Sequence, residues 1–143
     1  MVRTRILLAD DHLEIRAVVT RMLEREYEIV ESVTDGQALL DAASKLNPDL
    51  CVVDISMPII DGIQAAAELK ASGSTTKIIM LTIHEDDDFV KASFENGASG
   101  YVVKARIATD LVMAVKEVLA GRTFVSAFSD FGDGVYRRDT KIH

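Results

Sequence analysis

Leu50-Cys51-Val52-Val53-Asp54-Ile55-Ser56-Met57-Pro58-Ile59-Ile60-Asp61-Gly62 runs from an apolar stretch of strand length into an acid, then into a loop. Three other apolar runs also end on polar groups. Ile6-Leu7-Leu8-Ala9 stops at Asp10-Asp11, Ile78-Ile79-Met80-Leu81 at Thr82, and Tyr101-Val102-Val103 at Lys104. If these runs are parallel strands of one sheet, three carboxylates, a hydroxyl and an ammonium meet at a single edge. In open α/β sheets, ligands bind at that edge.

Helical patterns fill the intervals. Ile15, Val18, Val19, Met22 and Leu23 form an i, i+3, i+4, i+7, i+8 stripe, with Glu14, Arg16, Arg21 and Glu24 off it. Glu28 to Val33 reads as a further strand and Gln37 to Leu46 as a helix. Asn47-Pro48 ends that helix, because a residue before proline is pushed out of the α region. Gly62 opens a helix over Ile63 to Ala71 that closes near Gly73. His84-Glu85-Asp86-Asp87-Asp88 places acid at the positive end of a helix running to Asn96-Gly97. The last helix, after Thr109, carries Leu111, Ala114, Val115, Val118 and Leu119 on one stripe and stops at Gly121. Five βα units in series predict an α/β domain with a doubly wound, five-stranded parallel sheet and helices on both faces. The expected domain covers residues 2–126. Residues 127–143 read as a tail or linker in which Phe128, Phe131 and Tyr136 could dock onto the body or a partner, with disorder equally open. Arg137-Arg138 is too short to suggest nucleic-acid binding.

Bulk properties narrow the function. A chain of 143 residues, 48% hydrophobic, is about one domain long and can bury its own core. With 16 basic and 23 acidic residues its formal charge is −7, which disfavours direct nucleic-acid binding. No apolar stretch approaches the roughly 20 residues of a membrane span. The N-terminal residues lack the apolar region of a signal peptide, so a cytoplasmic location is expected. Cys51, the single cysteine, reads as a small core residue.

The strand ends carry a coherent chemistry. Asp10, Asp11 and Asp54 within a few ångströms would repel one another, and a hard cation relieves this. Mg²⁺ takes oxygen ligands and is usually held by one or two carboxylates plus phosphate oxygens. A carboxylate can also act as a nucleophile and form an acyl phosphate. Phosphoryl transfer then needs mainly positioning and charge neutralisation, which the cation, Lys104 and Thr82 could supply.

Asp10-Asp11, the stretch from Asp54 through Met57-Pro58 to Asp61-Gly62, Thr82 and Lys104, in this order and spacing, resemble the receiver domain of bacterial two-component response regulators. The stretch from Leu81 to Lys104 is most similar to receivers that precede a LuxR-type helix-turn-helix. The resemblance implies a flavodoxin-like sheet of order 2-1-3-4-5. It implies that Asp54 is the phosphoacceptor for a phosphohistidine on a sensor histidine kinase. Mg²⁺, or Mn²⁺, would be held by Asp11 directly, by Asp10 largely through water, by Asp54 and by the backbone carbonyl of Ser56. Lys104 would pair with a phosphoryl oxygen. Thr82 would donate a hydrogen bond to the phosphoryl group, and Tyr101, the aromatic switch residue, would move inward with it. Phosphorylation would then control homodimer formation or docking of another protein.

The chain departs from the family pattern in places. Ala105 stands where many receivers have proline, so the cis peptide common there is not expected. Ile83 is bulkier than the usual residue after the switch threonine and would slow access to Asp54. His84 reads equally as a contact for an approaching nucleophile or as an exposed loop histidine. No helix-turn-helix follows, so the chain is either a stand-alone receiver or a receiver cut from a longer regulator. Two other classes compete. An aspartate-nucleophile phosphatase would want a second Asp two residues after the first, where this chain has Ser56. An interaction module in receiver shape that is never phosphorylated is the remaining alternative.

Overall fold

The computed structural model describes residues 3–127. The tail residues Phe128, Phe131, Tyr136, Arg137 and Arg138 therefore lie outside the described residues. The chain alternates β1 (Arg5–Ala9), α1 (Leu13–Leu23), β2 (Glu28–Val33), α2 (Gly36–Leu46), β3 (Leu50–Val53), α3 (Gly62–Ala71), β4 (Lys77–Thr82), α4 (Asp87–Glu95) and β5 (Gly100–Val103). A 3-10 turn (Lys104–Arg106), α5 (Ile107–Leu119) and β6 (Phe124–Val125) follow. All strands are parallel and lie in the order β2-β1-β3-β4-β5-β6.

Side-chain alternation along the strands divides the core in two. Leu7, Ala9, Cys51, Val53, Met80, Tyr101 and Val103 face one side, where Leu39 of α2, Ala65 and Leu69 of α3 and Phe94 of α4 cover them. Ile6, Leu8, Leu50, Val52, Ile79, Leu81 and Val102 face the other, against Val19 and Leu23 of α1 and Leu111, Val115 and Val118 of α5. Both faces are covered by helices, so the inner strands read as continuous apolar runs. Cys51 belongs to this core, and burial pushes its thiol up to about 11.

Local signals set the helix ends. Asp35, Asp61 and Asp86 each accept a hydrogen bond from the backbone N–H three residues on, capping α2, α3 and α4. Asn47, in the left-handed region at φ 47°, closes α2 just before Pro48. The last helix starts earlier than Thr109 suggested. The 3-10 turn leads directly into Ile107, and Arg106 Nε donates to Asp110 Oδ2 at 2.9 Å across that first turn. No cis peptide occurs among the described residues, as Ala105 led one to expect.

The expected sheet had five strands, and the structure adds a sixth. Phe124 and Val125 pair with Gly100 and Tyr101, and Ser126 Oγ accepts from Val103 N at 3.1 Å. Two residues are too short to show a period, so only their register against β5 reveals them as a strand.

Candidate functional site

The strand order reverses between β1 and β3, which makes the crevice beyond their carboxyl ends the expected ligand site. Ala9 and Val53 are register partners, so the next residues, Asp10 and Asp54, leave the sheet side by side. Backbone bonds fix both. Asp10 N donates to Val33 O at 3.0 Å, and Asp54 N donates to Ala9 O at 2.9 Å. Asp10 is fully buried and Asp54 is 2% exposed. Asp11 and His12, one and two residues further along, are exposed.

Lys104 reaches in from the end of β5. Its Nζ lies 3.0 Å from Asp10 Oδ2 and 3.4 Å from Asp54 Oδ2. The ammonium thus pairs with both buried carboxylates. Burial first, and the neighbouring Asp10 charge second, hold the Asp54 carboxyl above its ordinary value, against the pull of Lys104. Ser56 N donates to Asp54 Oδ1 at 3.2 Å and orients that carboxylate.

The loop after Asp54 is tightly built. Ile60 N donates to Pro58 O at 2.8 Å across Ile59, whose φ is +74°, a strained γ-turn for a β-branched residue. A Cβ on Gly62 would sit 2.4 Å from Asp54 O, and one on Gly36 would sit 1.9 Å from Ile60 O. Glycine at Gly62 lets the loop close on the Asp54 backbone, and glycine at Gly36 lets α2 start against Ile60.

Thr82 closes β4 and is fully buried. Its Oγ1 accepts from His84 N at 3.1 Å. Tyr101, the expected switch aromatic, is also fully buried, and its hydroxyl donates to His84 O at 2.7 Å. One residue thus ties the threonine to the tyrosine through both its backbone groups. The His84 ring stacks on Phe89 at 4.0 Å and lies 3.0 Å from Ser56 Oγ, so this histidine is half-buried and bridges two loops. Ile83 is 69% exposed.

Two residues took no part in the sequence reading of the site. Arg16 donates to Asp10 O at 2.8 Å, fixing α1 against the acid pair. His12 Nδ1 lies 3.1 Å from both Asp10 Oδ1 and Asp11 Oδ1 and 3.9 Å from Asp54 Oδ2. Its place directly after two acids was the only signal, and nothing in the chain's periodicity aims its ring inward.

The donor set suits a divalent cation. One donor atom each from Asp10, Asp11, His12 and Asp54 lies within 4.8 Å of the others. Asp10 and Asp54 set two buried carboxylates beside a single ammonium, and a cation would offset their remaining repulsion.

Comparison with known proteins agrees with this geometry. Residues 6–116 match the family described as response regulator receiver domain. The chain is 35% identical over 125 residues to the transcriptional regulatory protein DegU of Brevibacillus brevis, covering 86% of this chain and 53% of that protein. A two-component response regulator of the LuxR family from Aurantimonas sp. SI85-9A1 superposes with TM-score 0.82 at 32% identity, over 87% of this chain and 90% of that one. The isolated REC domain of RcsB from Salmonella enterica serovar Typhimurium, in the presence of the phosphomimetic BeF3-, gives TM-score 0.80 at 26% identity, over 87% and 94%. The chain spans about half the length of the DegU relative.

Proposed function

The chain belongs to the response regulator receiver domain family, and from that premise we propose that Asp54 takes a phosphoryl group from a phosphohistidine of a sensor kinase. The observation that carries the proposal is the buried Asp10–Asp54 carboxylate pair with Lys104 Nζ 3.0 and 3.4 Å from their Oδ2 atoms. Charged groups are held there in readiness for a ligand that brings both cation and phosphate.

The Asp54 carboxylate attacks phosphorus, and the new O–P bond forms as the P–N bond of the donor breaks. Lys104, already 3.4 Å from Asp54, neutralises an oxygen of the arriving group. Asp11, Asp10, Asp54 and the Ser56 carbonyl would hold Mg²⁺ or Mn²⁺. When bound, that cation offsets the carboxylate repulsion and polarises the phosphoryl oxygens. Thr82 would donate its O–H to the phosphoryl group, and the movement of Oγ1 toward that group would stretch the bond it accepts from His84 N and loosen the Thr82–His84–Tyr101 chain. The phosphoryl group then biases a two-state element. The output would be a homodimer or a docked protein.

Treatment with acetyl phosphate and Mg²⁺, followed by intact-mass measurement, should show one acid-labile phosphoryl group that Asp54→Asn abolishes. An unmodified wild-type protein would sink the proposal.

A further inference from the structure

A lysine carries its ammonium on a flexible stem, so the charge is placed only as well as the backbone beneath it. At Lys104 that backbone has just left the sheet. β5 pairs with β4 through Val103 and with β6 only through Tyr101. Val103 N, next along the β6 edge, donates to the side chain of Ser126, at 3.1 Å from Oγ, rather than to backbone. Ser126 is fully buried, its own N donates to Tyr101 O at 2.8 Å, and its hydroxyl donates to the Asp110 carboxylate. On the other side of Lys104, Arg106 Nε and Nη2 donate to Asp110 Oδ2 and Oδ1 at 2.9 and 3.4 Å. The buried Asp110 carboxylate therefore joins the residue before Lys104, by way of Ser126, to the second residue after it. The turn itself adds little stiffness, being three residues of 3-10 helix, a form with poorer hydrogen-bond geometry than the α-helix.

We propose that Asp110, acting through Ser126 and Arg106, is a positioning residue that aims the Lys104 ammonium at Asp54. The rate effect of this aim rests on the phosphoacceptor reading above, whereas the placement of Lys104 does not. Asp110 bonds to Arg106, Thr109 and Ser126 and reaches the reaction only through Lys104. The assignment also gives β6 a use. Two residues of strand add little core, yet they set Ser126 beside Val103 N. Loss of the clamp would leave the Lys104 side chain in place on a looser turn, with its charge averaged over a wider range of distances from Asp54.

Limited acetylation of the full chain by acetic anhydride, read by peptide mass spectrometry, tests the placement, with exposed Lys116 on α5 as internal standard. Wild type should label Lys104 slowly, because its side chain is 10% exposed and ion-paired. Asp110→Ala and Ser126→Ala should each raise the Lys104-to-Lys116 ratio several-fold under conditions where circular dichroism shows them folded. Arg122→Ala, which breaks the Glu117 pair at the far end of α5, should leave the ratio unchanged. The initial rate of Asp54 labelling by acetyl phosphate and Mg²⁺ should fall about tenfold in the first two variants, since even about 1 Å of misplacement can cost more. An acid with a merely structural role would lower stability and leave both readouts alone. Unchanged Lys104 acetylation in either folded variant, or an unchanged phosphorylation rate beside raised acetylation, overturns the inference. The two readings fail separately. A wild type that never accepts phosphate, with Lys104 acetylation raised in the variants, would support the placement and overturn the phosphoacceptor reading. A phosphorylated wild type matched by its variants in both readouts would do the reverse.

Discussion

Asp54 and Ile59 are both held against their local preferences. The Asp54 carboxyl is raised by burial first and by the Asp10 charge second, so its ionised form costs folding free energy. Asparagine has nearly the same shape, keeps an acceptor for Ser56 N, and leaves Lys104 its contact with Asp10. In metal-free buffer at neutral pH, Asp54→Asn should therefore be more stable by about 1 kcal/mol. The sign follows from linkage. A carboxyl whose pKa is raised in the folded state favours folding below its unfolded pKa and loses that contribution as pH rises through the folded pKa. The advantage of asparagine should shrink as pH falls toward about 4, and thermal melts in chelator across that range check it. A variant melting below wild type at pH 7 would contradict the argument. At Ile59 the strain is in the backbone, with φ at +74° and the side chain 77% exposed. Ile59→Gly and Ile59→Ala both remove an exposed side chain and differ mainly in tolerance of positive φ. Glycine should be more stable than alanine by about 1–2 kcal/mol in urea titration.

Among the elements, the start of α5 and the edge strand β6 depend on one buried acid. Burial pushes Asp110 up, yet hydrogen bonds from Arg106, Ser126 and Thr109 and the Arg106 charge bring its carboxyl below the ordinary value. Ser126 Oγ also accepts from Val103 N, so the cluster links helix, strand end and sheet edge. A carboxyl with a depressed folded pKa stabilises above its unfolded pKa and loses this as pH falls through the folded one. Asp110→Ala should cost about 1.5 kcal/mol at pH 7, with the gap closing below about pH 4. Urea denaturation at several pH values measures it, and a pH-independent gap would point to lost packing instead.

For the whole molecule, phosphorylation of Asp54, if it occurs as proposed, should shift the loop between β4 and α4. Thr82 Oγ1 accepts from His84 N and has its own O–H to donate, so drawing that hydroxyl toward a phosphoryl group should lengthen the His84 bond. Beryllofluoride with Mg²⁺ should raise hydrogen exchange at the His84 amide several-fold. Tyr101→Phe keeps the buried ring but removes the bond to His84 O, so this variant should show a smaller change on adding the mimic. Unchanged exchange at His84 in wild type would separate Thr82 from the switch. Sizing the protein with and without the mimic distinguishes a dimer from docking of another partner.

The strands and their polar ends were legible because a sheet covered on both faces demands unbroken apolar runs, and the first residue past each run must leave the core. Asp10, Asp54, Thr82 and Lys104 could therefore be read as neighbours before any coordinates. Helix caps were legible too, since Asp35, Asp61 and Asp86 act on amides only three residues away. The sixth strand was not, because Phe124 and Val125 are strand only by pairing with β5. His12 was equally silent, because the orientation of a loop imidazole depends on contacts outside its own segment. The sequence by itself determined which groups reach the Asp54 edge. Only the tertiary structure decided that His12 turns toward the acids and that His84 joins Thr82 to Tyr101, because side-chain direction and loop approach arise from packing between segments distant in the chain.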